Sequence, residues 1–77
     1  MATRPWMSDE QAELSHFLNR LSSASKQEMI DNYPNAMSAW AMVYTGRVRT
    51  DGLTVMAITE LRHLARVVRT VFAFENC

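Results

Sequence analysis

Cysteine occurs once, and glycine and proline twice each, in a chain of 77 residues. A single cysteine, Cys77, can form neither an internal disulfide nor a cysteine-based zinc finger, so neither staple is there to support the fold. It points to a reducing compartment, and it lacks the three following residues of a prenylation signal. With only Gly46 and Gly52, the chain has no glycine-rich loop to cradle a phosphate. G-x-G-x-x-G, Walker A, C-x-x-C and H-E-x-x-H are all missing, and no elbow presents a serine nucleophile. The start, MATRPWMSDEQ, has no apolar stretch of signal-peptide type. The longest apolar run, Ala39 to Tyr44, is far shorter than the roughly 20 residues that span a bilayer. A cytoplasmic protein without catalytic activity, cofactor or metal is the expectation.

Charge of one sign is also in short supply. Eight basic residues balance eight acidic ones, which disfavours non-specific nucleic-acid binding. The balance is uneven along the chain. Residues 1–38 hold three basic and five acidic side chains, residues 39–77 five and three. Seven of the eight basic residues are arginine, the type suited to bidentate contacts at interfaces.

What the chain has in quantity is apolar residues, 48% in all, set at helical spacing. Such a short chain buries only about 60% of its unfolded surface, so this content means a dense core or apolar surface kept for a partner. Ser8-Asp9-Glu10-Gln11 reads as a capping box with Met7 stapled onto Ala12. Leu14, Phe17, Leu18 and Leu21 then recur at i, i+3, i+4 and i+7, which predicts a helix over 9–22. Ser25 and Glu28 read as a second box opening a helix over 26–32. Pro34 forces a bend and starts a third helix over 34–45, apolar on most sides and hence expected at the centre. Gly46 is a suitable stop, and residues 46–52 form a loop. Asp51 or Thr54 caps a fourth and longest helix over 53–73. The fold class is all-α, a small single-domain bundle of about four helices over residues 1–77, with residues 1–7 as an N-terminal arm. Trp40, Tyr44, Met29, Met37, Met42 and Met56 are expected inside, with Met1 and Met7 in the arm.

Two E-x-x-H motifs, Glu13-Leu14-Ser15-His16 and Glu60-Leu61-Arg62-His63, match the ligand spacing of di-iron helix bundles. At about 100° per residue, however, His16 lies roughly 150° from the centre of the first helix's apolar arc. It points to solvent, and the metal reading loses one of its two halves. A zinc ion held between copies of His63 is the remaining variant.

In the fourth helix Arg62, Arg66 and Arg69 form a narrow stripe opposite an apolar side about 200° wide. So wide an arc calls for two neighbours or a second copy, with Met56, Val67 and Phe74 as the flank for a homodimer. The arginines are either a solvated face paired with acidic residues of the first helix, or a binding face. Arg47, Arg49 and Trp6 complete the candidate partner-binding set. The functional expectation is a module that occludes a surface of a larger protein, as an inhibitor, anti-activator or anti-defence accessory protein. In size and style the chain resembles the compact accessory proteins of phages and mobile elements, a likeness of type that no family motif carries. The alternative is a DNA-binding regulator using the arginine stripe. Against it stand the neutral charge, the seven-residue loop, and the lack of Asn, Gln or Lys beside the arginines.

Overall fold

The computed structural model describes residues 4–77, so Met1 of the arm lies outside the described residues. Four helices follow one another: α1 (Ser8–Leu18), α2 (Ser23–Asn32), α3 (Pro34–Tyr44) and α4 (Val55–Glu75), with a 3-10 turn at Thr50–Gly52 before α4. No strand occurs among these residues. The all-α bundle expected from the periodicity is therefore what forms.

Local chemistry sets the boundaries. Tyr33 precedes a proline and is pushed out of the α region to φ −132°, ψ 55°, so it ends α2 and also stands before Pro34, the first residue of α3. At the end of α3, Gly46 takes a positive φ of 77°. Its N–H donates to the Val43 carbonyl (3.1 Å) and that of Arg47 to the Met42 carbonyl (2.8 Å), a Schellman closure that only glycine enters without strain. The Thr54 hydroxyl accepts from the Ala57 N–H at 3.1 Å and opens α4.

The first two caps differ from the sequence reading. Helix α1 starts one residue earlier, from Met7, whose N–H donates to the Glu10 carboxylate at 2.9 Å. Gln11 does not reach back to Ser8, because it accepts from the Trp6 indole N–H at 2.9 Å and donates to the Trp40 carbonyl. Helix α2 is capped by Ser22 rather than Ser25, and Ser25 turns its hydroxyl to Glu75. Helix α1 also stops at Leu18, and Leu21 still reaches the core from the following turn. The i+7 spacing was real, but a turn rather than a helix delivers its last member.

Helix α4 is the spine. Its 21 residues run about 31 Å, most of the 36 Å long axis, and α1, α2 and α3 all pack against it. Leu61, Leu64 and Val68 are fully buried, and Ile58 nearly so. Helix α3 packs against all three other helices, but they do not enclose it on most sides. Ala36 is its only buried residue, Trp40 is half-buried, and Tyr44 stacks on Trp40 with 57% of its surface exposed. Met29 is buried and Met37 packs on the core, whereas Met42 and Met56 are exposed. The apolar excess of α3 and of the α4 flank is surface, not core.

Trp6 closes the core. It is 2% exposed, so it is a packing residue of the arm and not a surface open to a partner. A large ring that also satisfies its N–H fits the gap that four short helices leave. Trp6→Ala is expected to cost about 3–5 kcal/mol, read from urea unfolding followed by circular dichroism. A loss as small as that of an exposed substitution would show that the arm only rests on the surface.

Candidate functional site: the α1–α4 groove and the outer edge of α4

Three of the five arginines expected to act together do meet. Arg62, Arg66 and Arg69 face a groove of about 300 Å³ between α1 and α4, with Arg4, Glu10 and Glu13 on its other wall. Arg47 and Arg49 do not reach it. Arg49 pairs with Asp51 at 3.3 Å in the loop, where both side chains are highly exposed and such a pair adds little stability.

The three arginines have unequal duties. Arg62 holds Glu10 with two N–H groups, at 3.0 and 3.2 Å, and donates a third bond to the Pro5 carbonyl at 3.2 Å. Arg4 grips the same carboxylate at 2.8 Å. Arg62 and Glu10 are only 26% and 19% exposed, so the fork clamps the arm over Trp6 and is occupied with the fold. Arg69 meets Glu13 at 3.0 Å, but both are about half exposed and a competing anion can displace that contact. Arg66 has no ion-pair partner among the described residues. Pairing with α1, one of the two roles open to the stripe, thus takes Arg62 fully and Arg69 loosely, and leaves Arg66.

Beyond the arginines lies the outer edge of α4. Met56 is 72% and Phe74 77% exposed, with Val67 half-buried between them along the helix. Sequence reasoning picked these three as a flank from the width of the apolar arc. It missed Ala73, which sits one turn beyond Arg69 and lines a shallow notch there. Its spacing from the arginine was the available signal. It also missed the exposed Ile30, Tyr44 and Val55.

His16 is exposed, as its helical angle requires, with its ring edge-on to that of Phe17. His63 is exposed too, its ring 5.6 Å from that of Tyr33. With Glu60, Tyr33 and Asn35 it lines a hollow of about 470 Å³ where the α2–α3 bend meets α4. Among the described residues no three His, Cys, Asp or Glu side chains come close enough to hold a metal ion.

The chain matches no protein-family model, no curated protein and no solved structure. Among the described residues no helix is long and apolar enough to cross a membrane.

Two carboxylates carry the pH response. The Arg62 fork holds Glu10 below its ordinary pKa of 4.5, against an opposing push from partial burial. Glu75 is lowered as well, by the Ser25 hydroxyl and then by the Ser22 N–H and hydroxyl. A carboxylate depressed in the folded state adds stability above its unfolded pKa and loses it as pH falls through the folded value. Unfolding free energy should therefore fall below pH 4.5. Glu10→Gln should start less stable at neutral pH and show a shallower acid limb in urea titrations. Parallel curves for the two proteins would mean that the fork is not formed.

Proposed function

We propose that this protein is a small, non-enzymatic binding module that works by covering a surface of a larger protein. An inhibitor, anti-activator or anti-defence accessory protein of phage or mobile-element type fits this description, acting in the cytoplasm. The observation that carries the reading is the exposed edge of α4, where Met56 and Phe74 stand in solvent, Phe74 shares a notch with Arg69, and Arg66, which has no ion-pair partner among the described residues, borders Val67. Exposed apolar side chains next to arginine are the composition of protein contact sites. The DNA-binding alternative is weakened by the same geometry, since Arg62 is committed to Glu10 and cannot read a groove without freeing the arm.

Affinity capture with mass spectrometry tests the reading. The unaltered chain should enrich one protein over background, and Met56→Ser with Phe74→Ser should lose it while the helical spectrum is unchanged. A duplex bound in a salt-dependent manner, lost in Arg62→Glu with Arg66→Glu and with no protein captured, would favour the regulator instead.

A second copy is another occupant for this edge. Light scattering at high micromolar concentration should then give twice the monomer mass, falling to the monomer in the Met56→Ser, Phe74→Ser variant. A monomer at that concentration removes the homodimer.

A further inference from the structure

The C-terminal half of α4 presents a ridge with different chemistry on its two sides. Arg66 and Arg69 form the crest. On one side is the α1–α4 groove, which both arginines line. On the other are two shallow apolar notches. Arg66 borders one of about 230 Å³ with Val67, Thr70 and Val71. Arg69 borders one of about 390 Å³ with Ala73 and Phe74. Each guanidinium is thus shared between a charged trough and an apolar step.

Charge complementarity defines what such a ridge can seat. The groove holds four arginines against two glutamates, so it is positive within a neutral chain. One arginine lacks a partner and another has an exchangeable one. Both can receive carboxylates, since charge-assisted N–H bonds to an anion are stronger than neutral ones. Apolar groups one turn away can settle beside Val67, Ala73 and Phe74. A nucleic acid presents a continuous line of phosphates, for which two available guanidiniums on a neutral chain are little counter-charge.

We propose that the Arg66–Arg69 ridge of α4 seats an acidic and apolar segment of a protein partner, its carboxylates on the two guanidiniums and its apolar side chains against Val67, Ala73 and Phe74. The inference rests on the protein-binding reading and adds the chemistry of the partner.

The test uses the full chain, isotopically labelled, in nuclear magnetic resonance titrations. The probe is a short helical peptide built from Glu and Leu, compared with Gln–Leu and Lys–Leu peptides and a DNA duplex. The Glu–Leu peptide should shift the amides of Arg66, Arg69, Thr70 and Phe74, and salt should weaken it. Arg66→Glu should lower its affinity about tenfold or more. Arg66 is exposed and has no ion-pair partner among the described residues, so this variant should keep its fold. Phe74→Ser provides a second loss through the apolar side. Equal binding of the Gln–Leu peptide, shifts mapped elsewhere, or no binding of the Glu–Leu peptide would each overturn the proposal. Tighter binding of the duplex at the same amides would give the ridge to phosphate. A captured protein that depends on Phe74 but not on Arg66 would overturn this inference and leave the protein-binding reading standing.

Discussion

The structure depends on one constraint: α4 must be buried on one long side by three shorter helices, none of which covers the other. Leu61, Leu64 and Val68 meet that demand and lose all contact with solvent. Each neighbour supplies a few apolar side chains, Leu14 and Leu18 from α1, Met29 from α2 and Ala36 from α3. No pair of helices could bury enough surface alone, so the core exists only when all are in place. Trp6 seals the remaining gap, and the Arg62–Glu10 fork holds the arm that carries it. The clamp and the core are one device.

That device explains how the arginine face is divided. The clamp needs Arg62 where the arm crosses α4, which removes it from any outward role. Further along the helix the arm is gone, and Arg69 has only an exposed glutamate to meet. Arg66 between them projects into solvent. At the far end, Glu75 ties the tail of α4 to Ser22 and Ser25 at the start of α2. The last turn is therefore tied to the start of α2 although Phe74 within it is exposed.

Much of the fold was legible because its signals are local. Pro34 and Gly46 act through their own backbone and mark boundaries where the sequence places them. Thr54, one of two caps the sequence offers, opens α4 two residues later than the expected start at 53, and the helix runs on to Glu75. The outward turn of His16 follows from helical angle alone. What was not legible depends on distant partners. Ser25 looks like a cap in isolation, but the Glu75 carboxylate claims it across fifty residues. Gln11 looks like the end of a capping box, but two tryptophans claim it. Trp6 reads as a partner contact because so small a core leaves little room for its ring, and the core is completed by that ring instead. The burial expected for α3 on most sides failed for a related reason. Apolar content says that a face can be buried, while geometry decides whether a neighbour covers it, and Met42 and Tyr44 stay about half exposed. Of the candidate site, the α4 stripe and flank were visible in the sequence, but the separate fates of its three arginines were not.

The central claim is that the outer edge of α4 contacts a protein. A photoreactive aromatic residue placed at position 74, with irradiation inside the cells that normally carry the protein, tests it at the residue concerned. The account predicts crosslinking to one protein species, and none from the same probe placed at position 38 on the exposed side of α3. Crosslinks to nucleic acid alone, or a protein caught from position 38 and not from 74, would contradict it.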